Sequence, residues 1–145
     1  MTASKPSERA AIVGTIDPQT VVNSEVFTDV VDMSKFQQAM FIALLGNMSN
    51  ETIDFTLYYC DSDGNNAVEL KDCDQLAASA SANDNKQLVI NLDAQELAAL
   101  NKRYVKAGLV TGNSSGGPAA VVALGMQPRF GPASDNDLST VVEIN

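Results

Sequence analysis

One stretch of this chain alternates polar and apolar side chains more regularly than any other, and it constrains the fold most. In an extended strand its odd-numbered residues face one side and its even-numbered residues the other. These are Ile53, Phe55, Leu57 and Tyr59 against Thr52, Asp54, Thr56 and Tyr58. Such alternation is typical of an antiparallel strand with one face on a core and one in solvent. A dense turn signal follows at 61–66, where Asp-Gly supplies the positive φ of a tight hairpin.

The rest of the chain repeats this succession of strands and turns. We predict further strands over 25–32, 35–45, 67–70, 86–92, 104–111 and 119–126, with loops at 71–85 and 112–118. Asp93 and Glu96 form a capping box that predicts one short helix over 94–100. Strand follows strand without intervening helices, so a βαβ fold is excluded. We therefore expect an all-β protein, an antiparallel β-sandwich of the jelly-roll or immunoglobulin-like kind.

Both ends of the chain differ in composition from this sandwich core, which we place at 21–126. Residues 1–20 and 127–145 contain helix- and strand-breaking Pro and Gly together with spaced apolar side chains, and we expect them to form extended arms. Such arms can add a strand or an anchor to a neighbouring chain, or they can wrap their own sandwich. The arm residues that are candidates for protein contact are Ile12, Val13, Arg129, Phe130, Leu138, Val141, Val142 and Ile144.

Two further groups of residues in the core are candidates for protein contact. The middle of the 35–45 strand is apolar on both faces, which places it centrally in a sheet or at a subunit contact and makes Phe36 and Phe41 contact candidates. Lys102, Arg103 and Lys106 form the one basic cluster. We expect Lys102 and Lys106 on one strand face and Arg103 on the other. The cluster either keeps a strand edge solvated against aggregation or contacts an acidic protein surface.

Composition excludes several classes of function. The 145 residues include no histidine, so Ser-His-Asp and Cys-His catalysis and imidazole metal sites are excluded. A net charge of −9 disfavours nucleic acid and anionic membranes as partners. The most apolar run, 39–45, is too short to span a membrane, and no signal-peptide pattern follows the first residues. We expect a protein that is not an enzyme and has no cofactor.

Two local patterns leave alternatives. Asp61, Asp63 and Asn65 have the spacing that begins a calcium loop, but Asn66 and Asp72 occupy the positions where such a loop needs Gly and Glu. We therefore favour a plain hairpin turn there. Cys60 and Cys73 are either two half-buried thiols or a bridged pair.

The segment that follows the last predicted strand resembles a known family. The run Ala-Leu-Gly-Met-Gln-Pro-Arg-Phe-Gly-Pro-Ala-Ser-Asp at 123–135 is similar to the closing segment of capsid decoration, or cement, proteins of tailed bacteriophages. Residues 31–42, 56–59, 86–92 with Glu96-Leu97, and 103–106 also resemble strands of these proteins. The similarity covers roughly residues 25–140 and includes no catalytic motif.

The resemblance implies a virion structural protein on the capsid exterior, synthesised in the host cytoplasm. Such proteins bind the major capsid protein as dimers or trimers and clamp adjacent capsomers. The charge of −9 suits an exterior position, because DNA inside the head would repel it. Two alternatives remain, another virion component of the neck or tail and a β-sandwich module that binds glycans.

Overall fold

In a computed structural model, which describes residues 5–112, 115–133 and 135–145, the chain forms nine strands and two one-turn helices. The helices are α1 (Pro6–Arg9) and α2 (Ala94–Ala98). The strands are β1 (Ala10–Val21), β2 (Val26–Phe27), β3 (Val31–Asp32), β4 (Phe36–Leu45), β5 (Ile53–Cys60), β6 (Val68–Asp72), β7 (Gln87–Asp93), β8 (Tyr104–Thr111) and β9 (Gly117–Pro128).

The strands pair into two antiparallel sheets. The first sheet has the order β1-β9-β4-β7, and the second has the order β2-β8-β5-β6, with β3 also paired to β8. Since β2 and β3 both lie along β8, they are two pieces of one broken edge strand. Counted as one, they give eight strands in the orders 1-8-3-6 and 2-7-4-5, which is the jelly-roll arrangement. The predicted sandwich is confirmed, and the strand order selects the jelly roll over the immunoglobulin-like alternative.

The core fills the space between the sheets with the inward side chains of both. The alternation predicted for β5 is confirmed, because Ile53, Phe55 and Leu57 are fully buried. Phe36 of β4 packs against Gly125 of β9, where any Cβ would lie 2.7 Å from the phenyl ring. Strand β4 lies between β7 and β9, as its apolar character predicted.

The prediction of an N-terminal arm over 1–20 is wrong for the residues that form β1. Strand β1 pairs with β9 from Ala10, opposite Met126, to Val21, opposite Gly117. Register shifts after Ile12 and after Ile16 interrupt the strand. These irregularities break the period of two, so the sequence pattern does not reveal the strand. Helix α1 precedes it and was not predicted; residues 1–4 lie outside the described part of the chain.

The other predicted elements need smaller corrections. Helix α2 begins as expected, with the Asp93 carboxylate accepting a hydrogen bond from the Gln95 amide at 2.9 Å and the Glu96 carboxylate accepting one from the Asp93 amide at 2.8 Å. Strand β9 continues to Pro128, so the C-terminal tail begins at residue 129 instead of 127.

The two cysteines are free thiols, and their positions exclude a bridge between them. The Cys73 amide donates to the Phe55 carbonyl of β5, five residues from Cys60 along the same strand. That offset corresponds to about 17 Å of strand, beyond the reach of a disulfide. Burial raises the pKa of both thiols.

Candidate protein-binding surfaces

The first half of the C-terminal tail, at its described residues 129–133 and 135–137, is bound to the chain's own sandwich. The Ala133 amide donates to the Glu8 carbonyl at 2.9 Å, and the Asp137 amide donates to the Ile12 carbonyl at 2.7 Å. The sequence offset is the same in both pairs, so the tail runs parallel to the free edge of β1. The Ile12 amide in turn donates to the Asn136 side chain at 2.9 Å. This part of the tail therefore wraps its own sheet, one of the two alternatives for the arms.

The remaining residues, 138–145, which we call the C-terminal projection, leave the sheet with their apolar side chains in solvent. Leu138 is 85% exposed and Val142 is 96% exposed, while Ile144 is exposed by half and Val141 is half-buried. Farther back in the tail, Phe130 is 88% exposed beside exposed Arg129. These exposed apolar side chains are available to pack against another chain.

A capped turn orders the start of the C-terminal projection. The Asp137 carboxylate accepts hydrogen bonds from the Ser139 hydroxyl at 2.6 Å and from the Thr140 hydroxyl at 2.9 Å. The Ser139 contact lowers the pKa of Asp137. The Val141 amide closes the turn on the Asp137 carbonyl at 2.8 Å. The exposed Leu138 side chain therefore stands on a hydrogen-bonded turn.

The contact candidates of the N-terminal segment are part of the fold and not of a free arm. Ile12 pairs with Leu124 of β9 on one side and with the tail on the other. Val13 lies at the first register shift and packs partly against the core. Neither residue is free to reach a neighbouring chain by extension of an arm.

Phe36 and Phe41 were also predicted to contact other proteins, and both are buried in the core instead. For Phe41 the reason is the register of β4, in which it and its alternate neighbours Ala39 and Ala43 face the second sheet. The Phe36 ring is buried because it packs over Gly125. The outward positions of β4 belong to other apolar residues, Met40 and Ile42 among them.

Those outward residues belong to an apolar surface, which we call the outer face of the first sheet. Ile42 lies opposite Val122 of β9 on one side and opposite Val89 of β7 on the other. Met40 lies opposite Leu124 in the same way. These side chains were not among the predicted contact residues, although they lie in the apolar run 39–45 and in the apolar segment that forms β9. The pattern shows that both faces are apolar but not which residues face outward.

The basic cluster binds groups of its own chain. Two nitrogens of the Arg103 guanidinium donate to the two carboxylate oxygens of Asp32 at 2.7 and 2.6 Å. The Lys106 ammonium lies 3.8 Å from the centroid of the Phe27 ring, and that of Lys102 lies 5.6 Å from the centroid of Tyr59. Lys102 and Arg103 precede β8, so the predicted division between strand faces is wrong. Of the three charges, that of Arg103 is paired within the chain, while Lys102 and Lys106 contact aromatic rings.

The Asp32–Arg103 pair makes stability depend on pH. Hydrogen bonding to Arg103 lowers the pKa of Asp32 from 3.8 to about 2. A carboxyl whose folded pKa is lowered contributes fully above its unfolded pKa and loses the contribution as the pH falls through the folded value. We therefore expect the stability advantage of the wild type over Asp32→Asn to shrink between about pH 4 and about pH 2. Urea unfolding across this range measures it.

The control for this prediction is Arg103→Lys, which keeps the charge but cannot grip both oxygens. In the same pH interval this variant should lose less folding stability than the wild type. The Arg103 side chain is more than half exposed, so solvent screening keeps the whole effect modest. A pH-independent difference between wild type and Asp32→Asn would contradict the assignment.

The turn at 61–66 joins β5 to β6, as the hairpin interpretation predicts. Its carboxylates are engaged by side-chain amides of the same turn. Asn66 donates to Asp61 at 2.6 Å, and Asn65 donates to Asp63 at 2.8 Å. Within the described residues, no group of three His, Cys, Asp or Glu side chains could hold a metal ion.

One buried acidic side chain was not predicted from the sequence. Glu51 is fully buried below the loop that joins β8 to β9. One carboxyl oxygen accepts hydrogen bonds from the amides of Gly116 at 2.7 Å and Ser115 at 3.1 Å. Its other oxygen has no hydrogen-bond partner among the described residues. This side chain holds a loop whose Asn113 and Ser114 lie outside the described residues, and it makes no ligand site by itself.

Comparisons with known proteins found similarity in strand arrangement only. No protein family model matches the chain, and no curated protein matches it in sequence. A structure of infectious bursal disease virus, strain Gx, is 12% identical with a TM-score of 0.41 over 82% of this chain, which spans 32% of that one. The structure of broad bean stain virus is 11% identical with a TM-score of 0.47, covering 94% of this chain and 99% of that one.

A third similar structure comes from a different kind of assembly. A protein of Bacillus endospore appendages, described as disulfide-linked pili, is 7% identical with a TM-score of 0.45, covering 88% of this chain and 98% of that one. At such identities the fold assignment rests on the chain's own strand order. No helix of the described residues is long and apolar enough to cross a membrane.

Proposed function

We propose that this chain is a structural protein of a virus particle, a decoration protein that binds the outside of the head of a tailed bacteriophage. The observation that carries the proposal is the C-terminal projection, where Leu138 and Val142 stand almost fully in solvent on an ordered base. Burial of two such side chains against another protein releases about 3–6 kcal/mol before ordering costs. The resemblance of 123–135 to decoration proteins directs the proposal to a phage head.

The proposed role is adhesion and not catalysis. A protein that binds only the assembled shell stabilises that state by its binding free energy, and the major capsid protein would be its partner. Many copies on one shell sum many modest contacts. The charge of −9 keeps a dense outer layer soluble and repels packaged DNA.

A glycan-binding role has less support from the surface of the second sheet. Sugar rings stack on open aromatic faces, and the aromatic pair on the second sheet is already engaged. Phe27 packs edge to face with Tyr58 at 5.8 Å between centroids, and the Lys106 ammonium covers the Phe27 ring. The hydroxyl of Tyr58 donates to Glu25 at 2.7 Å.

Removal of residues 138–145 tests the proposal. The truncated chain retains the anchored segment 129–137, so we expect a folded protein that no longer cosediments with heads assembled from the major capsid protein of the same genome. Leu100→Ala, a change at an exposed apolar residue next to α2, is the matched control and should bind like the wild type. Saturation of heads by the truncated chain would refute the role of the C-terminal projection.

A single substitution tests the phenyl ring of Phe130 in the C-terminal tail. Phe130→Ala should weaken head binding by about 1–3 kcal/mol if the ring fills a pocket on the shell. The same assay with purified phage tails in place of heads separates the neck and tail alternative. Binding to tails alone, or specific binding on a glycan array without binding to heads, would overturn the decoration role.

A further inference from the structure

Most of the outer face of the first sheet lacks charge, and Asp93 at the end of β7, opposite Gln38, is an exception at its margin. The chain has nine basic and 18 acidic residues. None of them occupies an outward position of β4 at 38–44, of β9 at 118–126 or of β7 at 87–91. A solvated sheet face usually carries polar and charged side chains, and here Met40, Ile42, Leu44, Val122 and Leu124 take their place.

The outer face of the second sheet differs in composition from that of the first. Its outward positions include Asp54 and Tyr58 on β5 and Lys106 on β8, with Glu25 and Phe27 lying over Gly108. This face is covered by its own hydrogen bonds and ring contacts. The apolar character is therefore specific to the first sheet and not a property of both surfaces.

The apolar face is smaller than a standard interface. The three strands β9, β4 and β7 span about 14 Å, and six residues along each span about 20 Å, which gives about 280 Å² of flat sheet. A depression lined by Leu44, Pro118 and Pro18 continues the face beyond this area. An apolar patch of a few hundred Å² is often functional, while a standard interface buries about 800 Å² on each partner. Association through this face alone should therefore depend on concentration.

The edges of the first sheet are less open than its face. On the β7 edge, the Lys71 ammonium donates to the Asn91 carbonyl at 2.8 Å, and the Cys73 thiol lies 3.7 Å from the Val89 carbonyl. On the β1 edge, the tail occupies the backbone groups of Ile12. Addition of a strand at these places is blocked, which leaves the outer face as the more open surface of this sheet.

We infer that the outer face of the first sheet binds a second copy of this chain, sheet against sheet around a two-fold axis. Two copies with a charge of −9 repel each other wherever acidic surfaces meet, and the central part of this face, at 40–44, 87–91 and 118–124, brings no like charges into contact. A flat apolar face is complementary to itself, as a two-fold interface requires. Side chains of facing sheets interdigitate as they do inside a sandwich. This inference does not depend on the proposed role in a virion.

Sedimentation velocity of the full chain, from low micromolar to high micromolar concentration, tests the inference. We expect a monomer–dimer equilibrium in the wild type. Leu44→Glu and Ile42→Glu should raise the dissociation constant by roughly a hundredfold or more, since each places two carboxylates in an apolar contact. Val68→Glu, on the second sheet and as exposed as Leu44 (48% against 46%), should dimerise like the wild type.

Further variants keep the test decisive. Leu44→Thr retains strand propensity and should still weaken the dimer, so a folding defect of the glutamate variants cannot decide the outcome. The chain without residues 138–145 should still dimerise, which separates this inference from the proposed function. A wild type that stays monomeric throughout, or a dimer that Leu44→Glu leaves intact, would overturn it. So would a monomer whose head binding is lost with Leu44→Glu, because the face would then bind the shell.

Discussion

Replacement of Phe41 by alanine is expected to lower the free energy of unfolding by about 3–5 kcal/mol. The phenyl ring is fully buried in the middle of β4, the strand between β7 and β9. Its loss removes apolar contacts and leaves a cavity that both sheets would have to close. Urea unfolding followed by circular dichroism measures the change, and the midpoint should fall without loss of the two-state transition.

The neighbouring residue provides the matched control. Ile42 lies on the same strand but faces outward and is half-buried. At a concentration where the chain is monomeric, Ile42→Ala should cost about 1 kcal/mol or less. Equal losses of unfolding free energy for the two variants would contradict the register of β4. A small loss for Phe41→Ala would support the contact role expected from the sequence.

A second large effect is expected at the buried acid. Glu51→Ala should cost about 2–4 kcal/mol, because it leaves the amides of Ser115 and Gly116 without their acceptor and opens space below the loop. Gly116 has φ of +66°, and a Cβ there would meet the Val21 carbonyl, so the loop has little room to find another arrangement. Thermal and urea unfolding of the full chain measure the loss.

Glu51→Gln separates the hydrogen bonds from the rest of the side chain. The amide oxygen can accept from the same two backbone groups, and the side-chain volume is unchanged. We expect a loss of about 1 kcal/mol or less, well below that of Glu51→Ala. Equal losses for both variants would show that the two accepted hydrogen bonds do not explain the stability of this loop.

The elements with a clean local period could be predicted from the sequence. Strand β8 occupies the predicted residues, and β5 differs by one residue at its start. Helix α2 begins where its capping box indicates. In these segments the local pattern and the tertiary environment favour the same structure, so propensity and burial agree. Strand β1 is the opposite case, because its pairing with β9 is made across about a hundred residues and two register shifts hide its period.

The contact residues were harder to predict than the strands. A run that is apolar on both faces does not say which alternate set turns inward, and a one-residue change of register exchanges the sets. Phe36 and Phe41 were predicted to make contacts because their strand is apolar on both faces, and both are buried, while Ile42 and Leu44 face outward. Lys106 was chosen for its charge, and the ring of Phe27 engages it. Phe130 and Leu138 are exposed, and their contact role stays a prediction.

The position of β9 between β1 and β4 has a consequence for biosynthesis. The first sheet cannot be completed until the ribosome has made β9, although β1 is the first strand of the chain. Until then the strands made before β9 have unpaired edges, and contacts between such distant segments form slowly. The outer face and the anchored tail therefore arise together and late. A nascent or truncated chain that lacks β9 therefore lacks the tail and the share of the outer face that β9 contributes.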